Sequence, residues 1–211
     1  MMVASLVIPK YDDIQLTRSI ISERQRGRNA QYFNNIQTYW ESRIKQYLEL
    51  QGNPTQVLAS SITIDSEKNK FINLYTKPDK DSVQYLVIKN LRLSKLIYCP
   101  ACGEDGSPGT LDHYLPKTTH PEFALLTKNL TPMCQLCQTE KLSEVLDKFG
   151  NKQFLHPYYD LLPNLVRTRH EKAFYRRANN RHFERSRNGH EGHGALPQVW
   201  HQRRHLLQLE G

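Results

Sequence analysis

Four cysteines constrain this chain more than any other feature, because they fall as two CxxC pairs, Cys99/Cys102 and Cys134/Cys137, with no fifth cysteine anywhere. Each CxxC turns through a tight knuckle that aims two thiolates at one point. Two such units together make a closed tetrahedral zinc site, the reading adopted here over buried free thiols or a redox pair. Between the pairs lies GEDGSPGTLDHYLPKTTHPEFALLTKNLTPM, which carries an Asp-His dipeptide, Asp112-His113, and Asn129.

The chain of 211 residues, 38% hydrophobic, is long enough for one large domain or two small ones around a modest core. No apolar run approaches the roughly 18 residues of a membrane span, and the start MMVASLVIPKYDD lacks the apolar stretch of a signal peptide. The expectation is therefore a cytoplasmic protein with no membrane partner, in a reducing compartment that suits zinc-type cysteines. A net charge of +8 favours a polyanionic partner, since Lys and Arg neutralise phosphates with release of counterions. That charge is uneven: residues 162–211 carry nine Arg, one Lys and four Glu, a net +6.

Taken in order, the apolar positions Ile14, Leu16, Ile20 and Ile21 predict a helix from Ile14 to about Arg28. A longer one follows. Tyr32, Phe33, Ile36, Tyr39, Trp40, Ile44, Tyr47 and Leu48 recur at three and four residues, so they paint one face of a helix that Gly52-Asn53-Pro54 stops. That aromatic face reads as core rather than as a stacking surface for bases. Residues 55 to 78 are ambiguous, with SITI and FINLY readable as short strands or irregular buried turns. From an Asp81 cap a further helix should run to about Ser94. Leu96-Ile97-Tyr98 and Thr110–Tyr114 then read as the two arms of a hairpin reversed by GEDGSPG, and a helix from about Leu136 to Lys148 closes the module. Prolines 116 and 121 argue against any long regular element before it.

The segment from Cys99 to Lys141 resembles the HNH endonuclease family. The resemblance rests on CPACG, LDHYLPK, the Asn129-Leu130 pair and C-x-x-C-x-x-x-K from Cys134 to Lys141. It implies an α+β protein: a helical N-terminal region over residues 1–94, then a ββα-metal, treble-clef-like zinc-knuckle module over residues 95–160. Residues 161–211 read as a basic disordered tail adding nonspecific DNA affinity, or as the product of a shifted reading frame. Cys99, Cys102, Cys134 and Cys137 would hold structural Zn²⁺. His113 would be the general base, Asp112 a ligand of a catalytic Mg²⁺ or Mn²⁺, and Asn129 the residue that orients the base.

The chemistry supports those roles, because phosphodiester hydrolysis needs a base for water and a cation for the charge growing on the phosphate. Gln138 departs from the family, which places His or Asn after the last cysteine. Its amide oxygen is still a hard ligand, one methylene further out than that of Asn. His120 and His156 are further candidates for phosphate or metal contact, with a surface or turn role favoured for each, and Lys117, Lys128 and Lys141 are candidates for backbone phosphates. The expected activity is cleavage of DNA, with the choice between DNA and RNA open. A looser resemblance to stand-alone HNH partners of anti-phage defence pairs implies an ATPase or other protein subunit as partner. The alternative is a non-catalytic zinc module that binds nucleic acid or protein.

Overall fold

Asp12 opens the first helix, its carboxylate accepting the backbone N–H groups of Ile14 and Gln15 at 3.0 Å. In this computed structural model, which describes residues 6–93, 96–103 and 108–160, helix α1 covers Asp13–Glu23 and buries Leu16, Ile20 and Ile21. It stops five residues short of the expected end, where Arg24–Arg28 lack apolar positions to bury. Helix α2, Ala30–Glu49, packs against it through the predicted face, and Phe33, Trp40, Ile44 and Tyr47 are buried. Arg18 on α1 clamps Glu41 on α2 with two hydrogen bonds of 2.9 and 2.8 Å.

Gly52 ends α2 for a structural reason. Its φ is +65°, in the left-handed region that favours glycine, and a Cβ there would lie 2.7 Å from the Tyr47 phenol.

The ambiguous stretch resolves into helix α3, Asp65–Thr76, so FINLY is neither strand nor turn. Phe71 and Leu74, three residues apart, point into the core, where the Phe71 ring meets Trp40 and Phe33 edge-on at 5.0 and 5.5 Å. Helix α4, Val83–Arg92, is capped by Ser82 rather than Asp81.

The expected hairpin is corrected by the structure. Strand β1, Thr110–His113, pairs antiparallel with β2, Leu130–Met133, in the register Thr110↔Met133 to His113↔Leu130, and residues 96–98 are not its ladder partner. Pro132 fits β2 because this two-stranded sheet leaves an edge where a missing N–H costs nothing. Helix α5, Gln135–Lys141, follows β2 directly, with Cys134 as its N-cap. It ends seven residues earlier than expected, at Leu142, whose φ of 50° breaks the helical path. Residues beyond it form a small reversal, with a bridge between Leu146 and Lys152 and Asp147 accepting the N–H groups of Phe149 and Asn151.

The order strand, strand, helix is therefore present, with β1 where the sequence placed it and its partner drawn from Leu130–Met133 in place of residues 96–98. The described residues are of the mixed α+β class, and one core joins the helices to the sheet, from Leu16 and Trp40 through Leu111 and Leu130 to Phe154. Among them no helix is long and apolar enough to cross a membrane. The expectations for residues 161–211 and for the turn at 104–107 lie outside the described residues.

Gly52→Ala should destabilise the fold by about 2–4 kcal/mol, from left-handed strain plus displacement of Tyr47. Urea unfolding of the two proteins side by side checks this, and an unchanged midpoint would contradict the packing described.

Candidate functional site

The first knuckle turns at Gly103, whose N–H bonds the Cys99 carbonyl at 2.7 Å with φ at +70°. The second is the first turn of α5, where the Cys134 sulfur accepts the Cys137 N–H at 3.5 Å. Between knuckles, the Cys134 N–H reaches the Cys99 sulfur at 3.3 Å. The four Sγ atoms all lie within 4.8 Å of one another, and Cys102 and Cys134 are 3.9 Å apart. Tetrahedral zinc with Zn–S bonds of 2.3 Å requires sulfur separations of about 3.8 Å, so the donor set fits the metal in number, chemistry and spacing. Hydrogen bonding from the Cys137 thiol and from backbone N–H groups holds Cys99 down to about 4, while Cys137, the donor, is pushed up. The four cysteines thus form a cluster suited to a metal such as zinc.

Asp112 and His113 end β1 and are both 5% exposed. The His113 Nε2 lies 2.9 Å from the Ala124 carbonyl, and since a carbonyl only accepts, Nε2 carries the proton and Nδ1 is left as the acceptor. The Tyr75 ring packs edge-on against the imidazole at 4.5 Å, and its hydroxyl donates to the Leu111 carbonyl at 3.0 Å. Burial, then the positive charge of Lys117, lowers His113 to about 3, so its imidazole is neutral at ordinary pH.

Asp112 faces Lys141, whose Nζ lies 3.1 Å from Oδ2 and donates to the His113 carbonyl at 2.9 Å. Burial raises the Asp112 carboxyl and lowers the Lys141 ammonium, and each charge opposes the shift of the other. One turn earlier on α5, Gln138 donates to the Leu111 carbonyl at 3.3 Å. Alternate carbonyls of β1 point away from β2, which is why Gln138 and Lys141, three residues apart, lace α5 to that open edge.

Asn129 does not touch the imidazole. It is fully buried, and its amide makes all four bonds open to it: Oδ1 accepts the Leu115 N–H at 2.7 Å and the Tyr47 hydroxyl at 3.1 Å, while Nδ2 donates to the carbonyls of Leu115 at 3.0 Å and Phe123 at 3.2 Å. It thereby stitches shut the loop that delivers Ala124 to His113, one step removed from the expected contact.

His120 and His156 are buried, in place of the surface or turn role favoured from sequence. His156 accepts the Tyr158 N–H at Nδ1, and its Nε2 lies 2.9 Å from the Tyr47 hydroxyl that supports Asn129. His120 stacks on Phe123 at 5.7 Å. Lys128 is also buried, paired with Asp13 at 2.8 Å and with the Tyr11 carbonyl, so neither it nor Lys141 is a free surface charge for phosphate. Lys117 is half-buried. Sequence reasoning missed Tyr47, Tyr75 and the Asp112–Lys141 pair; the only sequence signal for the last was the lysine spacing after Cys137.

No family model matches the chain, and no solved structure matches it. It is similar to "Protein ea31" of Escherichia phage lambda, 30% identical over 109 residues, or 51% of this chain. The match covers 36% of that protein, so the chain spans about a third of the relative's length.

Chelation of metal from the four-cysteine cluster should unfold the module, since a structural zinc supplies roughly 10 kcal/mol or more of folding free energy. Metal analysis together with circular dichroism before and after chelator tests this, and folded protein with no bound metal would contradict it.

The buried histidines also predict a pH dependence. His113, His120 and His156 are lowered to about 3, 4 and 3, chiefly by burial. The unfolded chain, whose histidines titrate near the ordinary 6.5, binds more protons than the native state below that pH. Their contribution is therefore complete above about 6.5 and lost as pH falls toward about 3. Denaturant midpoints across that range should fall with pH at constant zinc content, and less steeply in His120→Phe.

Proposed function

We propose that this protein is a metal-dependent HNH-type endonuclease that hydrolyses DNA phosphodiester bonds. The observation that carries the reading is His113, buried beside Asp112 at the end of a strand, its Nε2–H donated to the Ala124 carbonyl and its Nδ1 left as acceptor. A general base needs that tautomer, held in place. Here Nδ1 takes the proton of the attacking water. Asp112 and Gln138 are the residues that would hold Mg²⁺ or Mn²⁺, which when bound neutralises charge on the phosphate and the leaving oxygen. Asn129 keeps the Ala124 carbonyl in position, and the cysteine cluster, with zinc, fixes α5 against the sheet. In this reading the two-strand-plus-helix unit is the ββα-metal module of the family.

The lowered basicity of His113 has a counterpart in substrate binding. Lys117 adds to the lowering through its positive charge, so a phosphate brought against it offsets part of that lowering and makes His113 a better base when DNA is bound. RNA is a substrate of the same chemistry. The similarity to a phage protein accords with a mobile-element or defence setting, in which an ATPase or other subunit is the partner.

A non-catalytic zinc module is the second reading, and the ion pair that occupies Asp112 favours it. Plasmid nicking with Mg²⁺ or Mn²⁺ separates the two. The parent should cleave, and His113→Ala should lose roughly 100- to 10,000-fold while keeping its zinc and fold. A parent that cleaves under neither metal leaves the binding module standing.

A further inference from the structure

The Asp112–Lys141 pair is unusual in its setting. The side chains are 7% and 2% exposed, the charges are 3.1 Å apart, and the same ammonium holds the carbonyl of the next residue, His113, at 2.9 Å. An ammonium and a divalent cation bound to one buried carboxylate oxygen compete, since each is stabilised by the same charge and each must shed water to reach it. Among the described residues no other ion pair engages Asp112.

We infer that Lys141 is a built-in counter-cation that occupies the Asp112 carboxylate and must be displaced before a divalent metal binds there. This rests on the reading of Asp112 as the metal-binding residue, and makes Lys141 a positioning residue that sets metal affinity. The arrangement has a physical logic. A buried carboxylate with no counter-charge would be strongly destabilising, and Lys141 supplies one while the site is without metal. When a cation takes Asp112, the lysine stem swings out, and its charge becomes free for the phosphate that arrives with the metal.

The test is Mn²⁺ binding, read by electron paramagnetic resonance on zinc-loaded, full-length protein without DNA. Lys141→Ala and Lys141→Gln should each bind Mn²⁺ about tenfold or more tightly than the parent, because the metal no longer has to displace an ammonium from a buried carboxylate. Asp112→Asn added to either should erase the gain. The glutamine variant keeps a hydrogen-bond donor for the His113 carbonyl, so it removes charge with the least disturbance of β1. A measurement on the parent alone does not depend on any variant folding: amine labelling read by mass spectrometry should find Lys141 protected without metal and several-fold more reactive with saturating Mn²⁺.

Equal Mn²⁺ affinity in parent and lysine variants, or labelling of Lys141 unchanged by Mn²⁺, would overturn the inference. If no variant binds Mn²⁺ at Asp112 yet the parent nicks plasmid in a His113-dependent way, the inference fails and the nuclease reading survives. If the lysine variants gain Asp112-dependent Mn²⁺ binding and none of the proteins nicks, the inference stands and the nuclease reading fails.

Discussion

The Asn129 amide is the constraint on which the site depends. The connection between β1 and β2 runs from residue 114 to 129, and almost all of it is buried, so its backbone groups cannot be left to water. Short turns satisfy some of them, through the Pro116 carbonyl and the 3₁₀ turns at Pro121–Phe123 and Thr127–Asn129. The remaining gap is closed by one side chain that joins both ends of the loop to its middle. Removing it would orphan the buried N–H and carbonyl of Leu115, at about 1–3 kcal/mol for each group left unpaired, and would leave the Phe123 carbonyl with the Leu126 N–H alone. The carbonyl that fixes the His113 tautomer belongs to Ala124, the residue after Phe123, so the same stitch that stabilises the loop orients the imidazole.

The helices then act as braces on that loop rather than as a separate body. Asp13 on α1 takes the N–H and hydroxyl of Thr127 at 2.8 and 3.1 Å. On α2, Trp40 donates to the Glu122 carbonyl, Arg43 pairs with the Glu122 carboxylate, and Tyr47 holds Asn129 itself. From α3, Tyr75 covers His113. Each contact is long-range in sequence and most are buried, so the loop's geometry is a product of the helical core. The cysteine cluster works from the other side, setting α5 where Gln138 and Lys141 can reach the outer edge of β1. An imidazole, His113, held by one layer and its neighbouring carboxylate, Asp112, held by the other tie the two parts of the chain to a single core.

Much of this was legible in the sequence, for identifiable reasons. The cysteine pairs were, because ligand spacing is local. The face of α2 was, because Phe33, Trp40, Ile44 and Tyr47 repeat with the helical period over twenty residues. The strand partner was not: an apolar run such as Leu96–Tyr98 carries strand propensity but no information about which strand it meets, and the ladder of β1 is instead closed by Leu130–Met133 across a long loop. The end of α5 was misread because Val145, Leu146 and Phe149 continue a helical spacing, whereas the positive φ of Leu142 is a property of the fold. FINLY in α3 was hidden by β-branched and aromatic residues whose helical state is imposed by packing of Phe71 against Trp40. Asn129 was expected to bond the imidazole directly, and its amide instead bonds Tyr47, Leu115 and Phe123, because a fully buried amide between the two ends of a loop must satisfy the backbone around it first.

The electrostatics of the site follow from burial. Two cationic groups, Lys117 and Lys141, influence His113, and a single carboxylate, Asp112, answers them nearby. The local charge is therefore positive without an anion, and the imidazole is held neutral by burial and by that charge together. Two ammonium groups beside one carboxylate leave this end of the strand with an excess of positive charge. The rest of the core carries its buried charges already paired, Asp13 with Lys128 and Glu122 with Arg43, so they add no comparable pull. The end of β1 is thus where the fold leaves positive charge less fully answered, and it is the same place where the fold has fixed a neutral imidazole with its acceptor nitrogen unused by the Ala124 bond.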